Sequence, residues 1–181
     1  SNIASEAQAS RTTVLGYLDI LEETLLCFRL PAYEAKLRVR ERKHPKLYWC
    51  DPGLVRIMKR ADGTVMPEER GSLFEGLVAQ LLRTYRDCGN SFDDMHYWAP
   101  SSGGTKVDFL LVRGSELIAI EVKCGRNWTE SWGKGLRAVA DLKGMRRRLL
   151  VYPEGPRLRT KDGIEVIPFH DLAQLLHDGT L

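Results

Sequence analysis

Several large function classes are excluded by what this sequence lacks. No run of apolar residues approaches the length that spans a bilayer, and no signal-peptide pattern opens the chain, so a cytoplasmic protein without membrane contact is expected. The four cysteines, Cys27, Cys50, Cys88 and Cys124, are widely separated and form no CxxC pair. That argues against a zinc site or a disulfide framework and for reduced thiols. Cys124 follows Lys123 directly, yet no histidine pairs with it and strand alternation would turn it to the opposite face. No G-x-x-x-x-G-K-[ST] stretch occurs. Gly103-Gly104-Thr105-Lys106 lacks the order and first glycine of a phosphate-cradling loop, so no nucleotide site is expected. Internal repeats and low-complexity tracts are absent. An excess of one charge is missing too: 27 Lys and Arg against 24 Asp and Glu leave +3 over 181 residues, which permits an acidic partner without demanding one.

What is present is an ordinary globular composition, 43% hydrophobic and 28% charged, in a chain long enough for one domain with a small appendage. A chain that opens Ser1-Asn2 without an initiator Met reads as a piece of something longer. Residues 1–30 form the appendage. Val14, Leu15, Leu18, Leu21, Leu25 and Leu26 recur at helical spacing, and Ser10 before Thr12-Thr13 offers an N-cap for a helix running to about Cys27. The turn and helix resemble part of a helix-turn-helix, whose second helix enters the major groove in DNA-binding versions. A helix pair that packs or links domains is the blander reading.

Residues 31–181 read as an α/β domain. Leu37-Arg38-Val39-Arg40 alternates like a strand, Lys46 to Asp51 is a short strand, and a short helix follows over 52–59. An amphipathic helix is expected over 71–86, with Leu73, Phe74, Leu77, Val78, Leu81 and Leu82 on its apolar side. Glu75 lies at the edge of that stripe, either partly exposed or aimed at a site. Strands follow at 93–98, 107–112 and 117–123, then a helix over 133–143, strands at 149–152 and 164–167 separated by a turn-rich connector, and a closing helix over 170–177.

The most informative stretch is the hairpin. Val107-Asp108-Phe109-Leu110-Leu111-Val112 and Leu117-Ile118-Ala119-Ile120-Glu121-Val122-Lys123 are apolar strands joined by a tight turn at Gly114-Ser115. Asp108 should therefore face the end of the second strand. Alternation puts Glu121 and Lys123 on one face and Val122 in the core, with its backbone carbonyl beside them. Such an oxygen-rich pocket suits a hard cation, Mg²⁺ or Mn²⁺, held by Asp108, Glu121 and the Val122 carbonyl, with Lys123 positioning a water or neutralising developing charge. These residues resemble the PD-(D/E)xK nuclease signature, with Asp108 as its first acid and Glu121-Val122-Lys123 as its (D/E)xK element.

A longer collinear set resembles the DUF4143 family. It comprises Ser10-Arg11-Thr12-Thr13-Val14, Leu30-Pro31-Ala32-Tyr33, Pro45-Lys46-Leu47-Tyr48 with Asp51-Pro52-Gly53-Leu54, Gly71-Ser72-Leu73-Phe74-Glu75, Tyr97-Trp98, Val107-Asp108-Phe109 and Ile120-Glu121-Val122-Lys123. That resemblance implies the C-terminal module of a bacterial or archaeal AAA-type ATPase, with the ATPase domain upstream. It also implies a restriction-endonuclease-like αβββαβ core around a mixed sheet, with Glu75 as a further acid. The family commonly carries an acid immediately before the Val-Asp pair. Lys106 stands there instead, exchanging an acid for a base beside Asp108, a change that weakens a metal site or favours a phosphate.

Two functions follow as expectations. One is Mg²⁺-dependent hydrolysis of DNA by Glu75, Asp108, Glu121 and Lys123. The other is a catalytically silent module that docks nucleic acid or a partner and regulates the ATPase, the acids and lysine forming a solvated ion cluster. A third reading, an interaction domain for a toxin-antitoxin or defence partner, would use exposed apolar residues on the helix after Ser10. Basic residues for a phosphate surface are Lys106, Arg126 and the run Arg146-Arg147-Arg148, with a second run at Arg38, Arg40, Arg42, Lys43 and Lys46. His96 beside Tyr97 reads as a packed side chain, and Trp128 and Trp132 as packing residues near the site or as platforms for bases.

Overall fold

A computed structural model describes residues 2–35, 41–89 and 91–181. The alternating stretch at Leu37 to Arg40, with Arg38 and Arg40 of the basic run, lies outside the described residues. Two helices open the chain, α1 (Asn2–Glu6) and α2 (Arg11–Glu23), and the Ser10 hydroxyl accepts the Thr13 N–H at 3.0 Å as the cap of α2. α2 stops short of Cys27. Thr24 turns its hydroxyl back to the Ile20 carbonyl and Leu25 adopts φ 61°, so the chain leaves the helix and becomes strand β1 (Cys27–Leu30). Leu25 and Leu26, which completed the helical pattern, are exposed, whereas Cys27, Phe28 and Leu30 are buried. Burial of a strand overrode the local period.

β1 pairs antiparallel with β2 (Lys46–Trp49). Asp51 caps α3 (Pro52–Met58) by accepting the Gly53 N–H. α4 (Pro67–Asp87) begins a turn earlier than the apolar pattern indicated, because Pro67 sits at its first position and Glu68 and Glu69 complement its dipole. Gly76, Val78, Ala79 and Leu82 form its buried face. Leu77, expected on that face, is exposed, and Gly76 takes its place with Pro52 packed close against it.

The remaining strands form one mixed sheet: β3 (Asp94–Trp98), β4 (Val107–Arg113), β5 (Glu116–Val122), β6 (Met145–Tyr152), β7 (Leu158–Arg159) and β8 (Glu165–Pro168). Their spatial order is β3-β4-β5-β6-β8-β7, with β5–β6 and β6–β8 parallel and the other pairs antiparallel. The protein is thus mixed α/β. α4 and α6 (Phe169–His177) cover one face, packing against Phe109, Leu111, Ile118 and Ile120. α5 (Lys134–Ala138) covers the other through Leu136, beside Leu110, Leu117 and Ala119. β4 and β5 are buried on both faces, which is why they read as continuous apolar runs. Phe28, Leu30 and Tyr48 join the α4-side core, so the N-terminal strands pack into the same interior as the sheet.

Three expectations change in detail. The helix expected over 133–143 is a 3₁₀ turn (Glu130–Gly133) and the single short α5, and Gly144 at φ 89° then turns the chain into β6. β6 starts at Met145, which puts Arg146, Arg147 and Arg148 inside a strand. The connector expected after Tyr152 carries the two-residue edge strand β7.

Candidate functional site

The hairpin register sets the site. Phe109 pairs with Ile120 and Arg113 with Glu116 across a two-residue turn, so the next step along the ladder brings Asp108 beside Glu121. On its other side β4 shifts register against β3 between His96 and Trp98, opposite the Asp108 segment, an irregularity of the kind that re-aims side chains. Asp108 and Glu121 are the only buried charged side chains among the described residues. Two buried acids this close need compensation.

Lysines from three separate segments supply it: Lys46 in β2, Lys106 just before β4 and Lys123 just after β5. Asp108 Oδ1 lies 2.6 Å from Lys106 Nζ and 3.2 Å from Lys46 Nζ, while its Oδ2 accepts the Val122 N–H at 3.1 Å. Glu75 reaches in from α4: its Oε1 accepts the Tyr48 hydroxyl at 2.5 Å and Lys46 Nζ at 3.1 Å, and its Oε2 lies 3.3 Å from Lys106 Nζ. Lys123 Nζ lies 2.5 Å from Glu121 Oε1. Glu121 Oε2 is buried without a hydrogen-bond partner. Gly135 at the start of α5 seals this side, since a Cβ there would fall 1.7 Å from the Lys106 carbonyl oxygen and 3.6 Å from Glu121 Oε2.

The environments separate the two acids. Burial pushes Asp108 toward neutrality, but Lys46, Lys106 and the Val122 amide outweigh it and hold the carboxyl below the usual aspartate range. For Glu121 burial prevails, with the neighbouring Asp108 charge adding to it and Lys123 only partly opposing, and its pKa is pushed up to about 7. Burial disfavours the Lys106 charge, yet Asp108 and Glu75 together raise its pKa above the ordinary lysine value. Burial and the Glu75 carboxylate raise the Tyr48 hydroxyl far above the usual tyrosine range, so it stays a donor.

Lys46, Lys106, Glu121 and Lys123 of this cluster line an open cleft of about 1290 Å³, together with Arg42, Lys43, Lys134, Trp132, Glu34 and Glu41, while Lys46, Tyr48 and Glu75 also line a smaller pocket of about 400 Å³. Glu34 pairs with Lys43, and Glu41 accepts the Trp98 indole N–H. The structure therefore brings Glu75, Asp108, Glu121, Lys123 and Lys106 together. It does not bring the arginines there. Arg126 is exposed beyond β5 and does not line the cleft. Arg146 pairs with Glu116, Arg147 grips both oxygens of Glu165 and also the Thr180 carbonyl, and Arg148 donates to the Asp162 carbonyl. They occupy the end of β6 beside Leu117, Ile118 and Ala119, three to five residues, or roughly 10–17 Å, from the Val122 end. Trp128 and Trp132 pack edge to face, and Tyr33 packs edge-on against His96.

Lys46, expected only as a member of a basic run for phosphate, is instead a partner of the buried acids, and Tyr48 is a site residue that the nuclease signature does not mark. The signal was their i, i+2 spacing in a short strand, which sets both side chains on one face.

Whether Mg²⁺ suits this donor set can be judged from its oxygens. Five of the six carboxylate oxygens of Glu75, Asp108 and Glu121 face a hydroxyl, an amide or an ammonium, and only Glu121 Oε2 faces none. Three carboxylates against Lys46, Lys106 and Lys123 leave no net negative charge to draw a dication. The Val122 amide is turned to Asp108. Among the described residues, no group of three or more His, Cys, Asp or Glu side chains is spaced to hold a metal ion. As arranged, the residues do not fit a divalent cation.

Sequence comparison matches residues 70–172 to the domain of unknown function DUF4143, a span that holds most of α4 and the whole hairpin. The chain belongs to the DUF4143 family. Residues 1–64 match a second domain of unknown function, DUF8612. Curated relatives of this DUF4143 chain include an uncharacterized protein of Mycobacterium tuberculosis, Rv2008c, and one of Mycobacterium bovis, Mb2031c. Each is 26% identical over 93% of this chain and 37% of the relative. The chain thus spans little more than a third of their length. Among solved structures, protein VC1899 from Vibrio cholerae aligns over 97% of this chain and 43% of its own, at 19% identity and a TM-score of 0.41, too low to assign a shared fold. No helix among the described residues is long and apolar enough to cross a membrane.

Proposed function

We propose that this DUF4143 domain is a nucleic-acid docking module built on a PD-(D/E)xK-like core, and that it serves an upstream AAA-type ATPase by holding a phosphate backbone rather than cutting it. The helix, three strands, helix and strand formed by α4, β3, β4, β5, α5 and β6 follow the element order of that core. The observation that carries the reading is the cleft itself. Its basic side chains come from separate segments and converge on one open surface; Lys43, Lys46, Lys106 and Lys123 are paired with acids, and Arg42 and Lys134 have no ion pair among the described residues, which leaves them to meet a phosphate. A groove of this kind tracks a charged backbone, and Trp132 at its wall offers an aromatic surface.

The test is fluorescence polarisation of labelled single- and double-stranded DNA against the chain, with EDTA or with Mg²⁺, over a salt series. Binding that survives EDTA and weakens steeply with salt is expected, with plasmid left intact. No binding at low salt sinks the docking role. A second reading, Mg²⁺-dependent DNA hydrolysis by Glu75, Asp108, Glu121 and Lys123, is favoured by one observation, the unpartnered buried Glu121 Oε2. It requires both ammoniums to leave Asp108. Cleavage that disappears in Asp108→Ala and Lys123→Ala would establish it in place of silent docking.

A further inference from the structure

Lys46 is held far more completely than a surface lysine. Its ammonium lies 3.1 Å from Glu75, 3.2 Å from Asp108 and 3.3 Å from the Tyr48 hydroxyl, with the rings of Tyr48 and Tyr97 at 5.9 and 5.3 Å. Carboxylates on one side and aromatic faces on the other make a cradle for a cation. Lys106 brings a second ammonium to the same Asp108 oxygen from the segment just before β4, and reaches on to Glu75. A hard cation would seek that place, between a buried aspartate and a neighbouring carboxylate. The protein has put two of its own charges there.

We propose that Lys46 and Lys106, each bridging Asp108 and Glu75, act as built-in cations in the seat of a divalent metal at the Asp108, Glu75 and Glu121 carboxylates, so that this chain takes up Mn²⁺ or Mg²⁺ only when those ammoniums are removed. The proposal deepens the docking reading and rests on it only for the location of the site. A dication near Asp108 would have to displace both lysines and then endure their repulsion at a few ångströms, in surroundings where charges are poorly screened. The two lysines arrive from separate segments, so displacing one leaves the other in place. Glu121 Oε2 then becomes intelligible. With Lys46 and Lys106 on Asp108 and Glu75, and Lys123 on Glu121 Oε1, no cation is left to reach it. It is the residual oxygen of a metal site filled by side chains.

The experiment is a Mn²⁺ titration followed by electron paramagnetic resonance, with thermal melts in parallel. It compares the wild-type chain, Lys106→Ala, Lys46→Ala/Lys106→Ala, and the double variant with Asp108→Asn added. The expected result is no saturable binding to wild type below ~1 mM. The double variant should bind at least roughly tenfold more tightly and melt higher with Mn²⁺, and Asp108→Asn should abolish the gain. Submillimolar binding to wild type that Asp108→Asn removes overturns the proposal, as does a folded double variant that binds no better. Should the double variant not fold, Lys46→Gln/Lys106→Gln takes its place, which removes both charges while keeping side-chain volume and a hydrogen-bond donor near Asp108 and Glu75. Absence of any gain in that variant also overturns the proposal. DNA polarisation on the same samples reads the docking role separately, so either idea can fail alone.

Discussion

Lys106 Nζ sits 2.6 Å from Oδ1 of Asp108, a residue only two positions further along the chain. An ammonium and a carboxylate so close in sequence meet locally, while Lys46 reaches the same oxygen from 62 residues away. The two contacts differ in what they depend on, and substitutions should separate them.

Lys46→Ala removes the cation held between Glu75 and Asp108 and leaves Asp108 fully buried with one ammonium fewer. A loss of about 2–4 kcal/mol in urea unfolding is expected, the cost of breaking a buried pair from one side. Tyr48→Phe should cost about 1–2 kcal/mol, because Glu75 loses a charge-assisted hydrogen bond. A Lys46→Ala variant within about 0.5 kcal/mol of wild type would show that the cluster carries little stability.

The pH dependence follows from Glu121. Its folded pKa of about 7 lies above its unfolded value, so the folded state holds this proton more tightly than the unfolded chain does. The stabilising contribution is complete below the unfolded glutamate range, at about pH 4, and is lost as pH rises through 7. Asp108 acts in the opposite sense: its lowered pKa adds stability above the unfolded aspartate value, lost as pH falls toward and below it. Together they place the optimum of the site in mildly acid solution. Glu121→Gln should flatten the decline in melting temperature between pH 5 and 8 and raise stability at pH 8 by about 1–2 kcal/mol. An unchanged slope would contradict this account.

Gly135→Ala tests the wall of the cleft. Its new Cβ would overlap the Lys106 carbonyl, which is backbone and cannot rotate aside. A loss of about 3 kcal/mol or more is expected in thermal or urea unfolding, against the gain of about 1 kcal/mol that Ala for Gly gives in an unobstructed helix.

The two basic regions should behave differently toward DNA. Arg147→Ala breaks the paired contact with Glu165 and should lower stability by about 1 kcal/mol without changing DNA affinity. Lys134→Ala and Arg42→Ala, both in the cleft, should each weaken binding several-fold and lessen its salt dependence by about one unit of slope. Equal effects at Arg147 and Lys134 would move the contact surface to β6.

Asp108, Glu121 and Lys123 were legible because strand alternation and a two-residue turn fix their mutual placement from nearby residues alone. Glu75 stands out as a polar residue against an apolar helical stripe, but the stripe leaves open whether it is exposed or aimed at a site, and its role as a further acid comes from the family resemblance. Lys46 was not legible: its partners lie 29 and 62 positions away, and no local pattern distinguishes a lysine bound for the interior from one bound for solvent. The arginines of β6 misled for the complementary reason. A run of like charges suggests a surface for phosphate, but their partners Glu116 and Glu165 are visible only once the strands are aligned. The end of α2 was hidden because Leu25 and Leu26 continued a helical period that burial of β1 overruled.

The parallel pairing of β5 with β6, set against the tight β4–β5 turn, also bears on the order of assembly. A two-residue turn closes quickly, whereas the 22 residues between β5 and β6, and the reach from Lys46 to Asp108, demand slower long-range closure. A chain that has formed only the hairpin therefore holds Asp108 and Glu121 side by side before Lys46 arrives. Folding through that arrangement should run faster where one of the two acids is protonated, and stopped-flow refolding rates should climb as the solution is made mildly acid.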